Sequence, residues 1–165
     1  MKAFGYKGYF LIEILIVLTI ILLISTIVIP NFNFLNEQIL ASDLERLNVV
    51  FAYMQQSAIA KNKSLILKFD DSKTYSYDNF KDRLSKNNTF GILPGVKGPP
   101  STPTHILTNP INFHNNQVIF YSNGQIQPGT IYLTDNVHQY ALTIPISQVS
   151  FIRKYKLTNG KWELI

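Results

Sequence analysis

A single carboxylate, that of Glu13, lies inside the run YFLIEILIVLTIILLISTIVI, which extends from Tyr9 to Ile29. A carboxylate in hydrocarbon costs on the order of 3 kcal/mol or more unless a cation pairs with it. Glu13 therefore asks for a positive partner; its other reading is a carboxylate that snorkels to the interface near the helix start. A second set of reactive residue types stands near the C-terminus: Arg153, Lys154, Tyr155 and Lys156, with Lys161 and Trp162 close behind. Their cations could contact phosphates while Tyr155 or Trp162 stacks on bases, which is DNA-binding chemistry. The same residues also read as an amphipathic strand with a solvated basic face.

Other chemistry finds little support. His105, His114 and His138 are scattered, without the i,i+4 spacing of a zinc site on a helix, and read as loop or surface histidines. Asp70, Asp71 and Asp78 lack the arrangement of an EF-hand and read as turn-stabilising side chains. There is no G-x-S-x-G elbow. Gly95 and Gly98 lie amid prolines and do not form a phosphate-cradling loop. No enzyme, no metal and no cofactor is expected.

The elements that hold these groups follow from length and periodicity. A helix crosses a bilayer with ~20 apolar residues, so Tyr9 to Ile29 is long enough. A signal-peptide core runs only about 7–15 residues and ends at a small-residue cleavage site. Here no A-x-A-like triplet follows the run, and the small residue Gly8 precedes it, at the end of a basic leader, MKAFGYKG. Lys2 and Lys7 place the N-terminus in the cytoplasm, with the remainder exported. Beyond Pro30, Leu40, Leu44, Leu47, Phe51, Met54 and Ala58 recur at helical spacing and form one core stripe, with Asp43, Glu45, Arg46, Asn48, Gln55 and Gln56 mostly elsewhere. One long helix is expected from near Tyr9 to about Lys61, bent or interrupted near Pro30, where proline removes a hydrogen bond and clashes with the preceding turn.

From Ser64 the pattern turns to β. Leu65, Leu67 and Phe69 mark a largely buried strand, and Lys73–Tyr77 returns across the Asp70-Asp71-Ser72 turn. The stretch from Asp78 to Asn88 is polar and is expected to hold a short helical turn. The stretch from Gly95 to Pro110 is rich in Pro and Gly and reads as an extended loop. Strand-like runs follow at Gln117–Tyr121, Thr130–Thr134, Gln139–Ile144, Val149–Leu157 and Lys161–Ile165, with hairpin signals at Asn123-Gly124 and Asn159-Gly160. The fold class is α+β: an N-terminal helix packed on antiparallel sheet. At 165 residues the chain supports one membrane-anchored domain. With no cysteine, that domain depends on its apolar core, to which 11 Phe and 9 Tyr contribute.

The string G-Y-F-L-I-E, followed by an Ile/Leu/Val helix and a proline before a Phe-containing run, resembles the N-terminus of type IV prepilins. That family includes type IV pilins and the pseudopilins of type II secretion and competence. The resemblance implies cleavage between Gly8 and Tyr9 by a membrane prepilin peptidase and N-methylation of Tyr9. It makes Glu13 the fifth mature residue, where the family keeps its glutamate, and Pro30 the helix-bending proline. Tyr9 replaces the usual Phe, and Phe10 a frequent Thr. Removing the leader takes two lysines from the 15 basic residues, against 10 acidic, and the excess that remains is too modest to demand a nucleic-acid partner. The new amino group, with a pKa near ~8, could meet Glu13 of a neighbouring subunit, so that two groups costly in lipid compensate one another.

Two further strings, QQSAIAKNKSLILKF and VIFYSNGQIQPGTIYL, resemble segments of the GspH/FimT class of minor pseudopilins and minor pilins. The resemblance implies a pilin-like, two-sheet β domain packed with the helix. It divides the chain into a leader (1–8), a membrane or filament-core helix (9–29), an amphipathic continuation (30–62) and an exported β-rich domain (63–165). The function it implies is a structural subunit at the tip of a type II secretion pseudopilus, priming assembly. The partners are other pseudopilins, the prepilin peptidase and an inner-membrane assembly platform, and the location is a single pass in the inner membrane. The alternative is a FimT-like minor type IV pilin acting in pilus biogenesis or DNA uptake through the C-terminal basic strand; the Gly-Arg-x-Arg string carried by such DNA-uptake pilins is absent here.

Overall fold

The computed structural model describes residues 6–28, 31–98, 104–145 and 151–165. Two helices come first, α1 (Tyr6–Val28) and α2 (Asn31–Ala60). Pro30, the expected bend, lies outside the described residues. The chain divides into two compact units, Met1–Asn36 and Glu37–Ile165.

In the first unit, α1 is rich in Ile, Leu and Val and carries the hydroxyls of Thr19 and Ser25 in its apolar run. Both hydroxyls bond back to their own helix: Thr19 donates to the Leu15 and Ile16 carbonyls, and Ser25 to the Ile21 carbonyl, each at 2.8 Å. No partner outside the helix is needed to satisfy them.

In the second unit, the stripe Leu40, Leu44, Leu47, Phe51, Met54 and Ala58 is buried along its whole length, as its spacing predicts. Burying each large member is worth about 1.5–3 kcal/mol. The helix ends where Asn62 adopts φ 47°. The Asn62 N–H donates to the Ile59 carbonyl and the Lys63 N–H to the Ala58 carbonyl, at 3.1 Å each. This is a Schellman cap with asparagine in the left-handed position, and it turns the chain directly into β1 (Leu65–Phe69).

Among the described residues, nine strands form two antiparallel sheets. The first has the order β3-β2-β1-β5, from β2 (Thr74–Tyr77), β3 (Phe80–Arg83) and β5 (Gln117–Phe120). The second has the order β4-β6-β7-β8-β9, from β4 (Thr89–Phe90), β6 (Gly129–Thr134), β7 (Gln139–Ile144), β8 (Arg153–Thr158) and β9 (Lys161–Leu164). The α2 stripe and residues of both sheets share one core, with Phe51 edge-on to Phe120 at 5.2 Å. β6 and β7 are buried on both faces. A smaller cluster of Tyr132, Ala141 and Tyr155 packs with Ile92 and with Leu107 of the Pro/Gly-rich segment that follows it. That segment is therefore more than a loop: Lys97 bridges to Ile106, and its described ends cover the second sheet.

Two expectations change, and one short strand was not expected. Phe80–Arg83 is a strand, not part of a helical turn: Asp78 takes φ 48° and starts a tight turn that pairs Tyr77 with Phe80. β1 is buried on one face only, with Ile66 and Lys68 exposed. Its outer face is not covered, so the alternation reports a half-buried strand. β4 has no periodic signal because it is two residues long.

The Asn159-Gly160 hairpin forms as read, with both residues at positive φ (51° and 75°) between paired Thr158 and Lys161, the conformation a two-residue turn of this type requires. Gly129 opens β6 for another reason. A Cβ there would lie 2.5 Å from the Phe113 ring and 2.7 Å from the Asn112 carbonyl.

Candidate assembly site

Along α1 the large apolar side chains from Tyr9 to Ile24 are 44–74% exposed on every side of the helix. A helix apolar all round is ordinarily buried, and within its own unit this surface has no cover. Among the described residues no helix is long and apolar enough to cross a membrane. Side-chain surroundings on α1 are described for residues 9–25, or about 25 Å of helix against a hydrocarbon thickness near 30 Å. The helix backbone itself runs 23 residues.

Glu13 is exposed on this helix, one turn beyond Tyr9, in a shallow surface shared with Tyr9, Ile12, Ile16 and Val17. No cation is paired with it among the described residues. The Gly8–Tyr9 peptide lies in the first turns of α1.

The six residues of the C-terminal basic set do not share a face. Lys154 and Lys156 point from β8 toward α2: Lys154 Nζ donates to Glu45 Oε2 at 2.6 Å, and Lys156 Nζ pairs with Glu37 Oε1. Tyr155 is 8% exposed in the smaller cluster, so its ring offers no stacking surface. Trp162 lies 5.9 Å from the Tyr132 ring and its indole N–H donates to the Lys97 carbonyl at 2.8 Å. Arg153 is exposed, over the Phe151 ring at 4.7 Å, and Lys161 is exposed beside the β8–β9 turn.

Sequence reading missed the acidic partners. Glu37 also accepts from the Tyr140 hydroxyl at 3.2 Å and faces His138 Nε2 at 3.7 Å, while His138 Nδ1 meets Asp135 Oδ2 at 2.9 Å. The signal was available in the charges: two glutamates about two turns apart on α2 face two lysines on one side of a strand. Asp43 is not on the solvent side of α2 but 4% exposed. Its carboxylate accepts from the Ser85 N–H (2.8 Å), Ser85 Oγ (3.0 Å), Asn88 Nδ2 (2.7 Å) and Arg46 Nη2 (3.1 Å). The aspartates near the first hairpin stabilise turns and pairs: Asp71 caps Lys73 and Thr74, Asp78 pairs with Lys61 and Asp70 with Lys81. Among the described residues no group of three or more His, Cys, Asp or Glu is arranged to hold a metal ion.

These contacts set a pH dependence. The Lys156 hydrogen bond holds Glu37 below the usual carboxylate range, and the Lys154 hydrogen bond does the same for Glu45. The Thr74 hydroxyl lowers Asp71. Burial pushes Asp135 up, but hydrogen bonds from His138 and Val137 outweigh it, and Asp135 lies low. A carboxylate whose folded pKa is depressed stabilises the fold above its unfolded value and loses that contribution as pH falls through the folded one. The ordinary values are 4.5 for Glu and 3.8 for Asp. These four groups should therefore cost the protein nothing between neutral pH and about 5, and should lower the urea midpoint progressively below about 4.5. A midpoint that does not move down to pH 3 would show that the pairs contribute nothing.

A helix seated on two antiparallel sheets, preceded in the chain by a separate apolar helix, is consistent with a pilin-like fold. Residues 43–150, more than half of the chain, match the family described as Type II transport protein GspH. The chain belongs to this family, which is one of structural type II secretion pseudopilins. The match takes in most of α2 and the strands through β7, and not the segment around Gly8, Tyr9 and Glu13. No curated protein matches the chain, and no solved structure does.

Proposed function

We propose that this chain is a minor pseudopilin of type II secretion that primes assembly at the filament tip, and that α1 is its anchor and assembly element. The observation that carries this reading is the uncovered helix bearing one carboxylate. At 23 residues, or about 35 Å, its backbone is long enough for one pass of the inner membrane, with Lys2 and Lys7 on the cytoplasmic side and the β domain outside. Prepilin peptidase cuts between Gly8 and Tyr9, Tyr9 is N-methylated, and an inner-membrane platform feeds the subunit into the filament. There the Tyr9 ammonium of one subunit meets Glu13 of the next. Pro30 bends the helix where it leaves the membrane.

The geometry of the C-terminal strand favours a structural part over DNA uptake. Lys154 and Lys156 are engaged by Glu45 and Glu37, and Tyr155 is covered. Mass spectrometry of the full chain recovered from cells tests the proposal. The expected N-terminus is a methylated Tyr9; an uncut chain that still begins at Met1 overturns it.

A further inference from the structure

An open cavity of about 720 Å³ lies between the β1–β2 turn, Phe90 of β4 and the segment that leads into β5. That volume falls within the roughly 300–1,000 Å³ of small-molecule sites. Nothing in the assembly reading uses it.

Its walls are fixed by the backbone. The Phe90 N–H donates to the Ser72 carbonyl at 2.7 Å, which ties the β1–β2 turn to the second sheet. On the far side, the Asn112 N–H donates to the Thr130 carbonyl and the Tyr132 N–H to the Pro110 carbonyl, at 2.8 Å each, and Ile111 bridges to Ile131. Phe113 is seated against Gly129, where no side chain would fit. Asn115 and Asn116 follow at φ 55° and 51°, a left-handed pair that few residues other than glycine and asparagine accept.

The lining has two halves. Phe69, Phe90, Ile111 and Phe113 supply apolar surface, with Phe69 edge-on to Phe90 at 5.0 Å. Asn109, Asn112, His114 and Asn116 supply planar polar side chains. All four are exposed, and none makes a side-chain hydrogen bond among the described residues. The two carboxylates of the lining differ from them. Asp71 accepts from the Lys73 and Thr74 N–H groups and the Thr74 hydroxyl, and Asp70 accepts from the Ser76 hydroxyl and pairs with Lys81 at 3.4 Å. Both are engaged within the chain, so neither marks the cavity for a cation, and their negative charge disfavours an anion.

A side-chain amide donates at one atom and accepts at the other, and a hydroxyl does both at one atom. A ligand with several hydroxyls beside apolar C–H faces therefore suits both halves of the lining. An extended peptide would be read through main-chain groups. Here the Asn112 and Asn116 N–H groups and the Ser72 and Pro110 carbonyls are already bonded.

We propose that this cavity is a binding site for a neutral, hydroxyl-rich oligosaccharide, held by the side chains of Asn109, Asn112, His114 and Asn116 against the phenyl walls. The site lies wholly in the Glu37–Ile165 unit, and the proposal does not rest on the assembly reading.

Saturation-transfer NMR on the full chain, in a detergent without a sugar headgroup, tests it. The probes are cellotetraose and chitotetraose, which distinguish plain from N-acetylated rings. Tetralysine and tetragalacturonate are the cationic and anionic controls. The expected result is binding of at least one neutral tetrasaccharide with a Kd of about 1 mM or tighter, and at least tenfold weaker binding of both charged controls. Asn112→Ala combined with Asn116→Gly removes two amides, keeps the main-chain bond to Thr130 and suits the positive φ at position 116. It should weaken the sugar at least tenfold and leave the melting midpoint by circular dichroism unchanged. Asn109→Ala alone should weaken it severalfold, and serves as the test if the double variant melts early. If neither neutral tetrasaccharide binds, or a charged control binds as tightly, the proposal fails. It fails equally if folded variants bind the sugar as well as the unaltered chain does.

Discussion

Glu13→Ala should abolish co-assembly of this chain with its neighbouring subunits while leaving its synthesis and cleavage intact. The reason is an asymmetry of cost. A matched pair of charges in a low-dielectric setting roughly balances desolvation against attraction, but removing one partner strands the other. On the proposed function, a Tyr9 ammonium released by cleavage would then enter the packed helices alone. Breaking a buried pair in this way costs about 3–5 kcal/mol, a loss of more than a hundredfold in association. Glu13→Gln should be nearly as damaging, because the amide keeps the shape and loses the charge. Glu13→Asp should retain part of the interaction, since it shortens the reach by one methylene. Quantitative recovery of partner subunits with the solubilised full chain measures the effect. Wild-type recovery for Glu13→Ala would mean that the carboxylate snorkels to water and pairs with nothing.

Asp43→Ala should lower the stability of the Glu37–Ile165 unit by about 3–5 kcal/mol, a large share of the 5–15 kcal/mol typical of a folded domain. Every group that faces Asp43 donates: the Ser85 amide and hydroxyl, the Asn88 amide and the Arg46 guanidinium. Alanine would leave the Ser85 and Asn88 donors without this acceptor beside a site that is 4% exposed, while Arg46 keeps Asp82 and the Arg83 carbonyl. Asparagine should rescue little, because its own amide would turn a donor toward other donors. The melting midpoint followed by circular dichroism should fall by roughly 10 °C. A fall of a degree or two would show that water replaces the carboxylate at little cost.

The contrast between these residues shows what the sequence made legible. Periodicity exposed the α2 stripe from Leu40 to Ala58, because burial of one helix face imposes a repeat that survives any detail of packing. The Asn159-Gly160 turn was equally clear, since two consecutive positive φ angles restrict the residue types that fit. β4 and β3 were hidden for opposite reasons. β4 is too short to show a period, and β3 carries Lys81, Asp82 and Arg83 on an edge strand, where charge is common and resembles a polar turn. The burial of Asp43 was not legible, because its donors lie 42 and 45 residues away in sequence. The C-terminal set was misleading for a related reason. Composition places four cations and two aromatic rings together, but strand alternation sends Lys154 and Lys156 to one face and Tyr155 to the other. The Glu13 motif was legible as a charge in an apolar run, a pattern that requires no knowledge of the fold.

Trp162 is the single tryptophan of the chain. It lies outside the main core, against Tyr132, and its indole N–H is held by the Lys97 carbonyl of the Pro/Gly-rich segment. Its emission is therefore a built-in optical gauge of that one flap rather than of the helix–sheet interior. If the flap lifts before the domain melts, the intrinsic fluorescence shifts to the red at a lower temperature than the ellipticity is lost. If cover and core come apart as one cooperative body, the two curves superimpose.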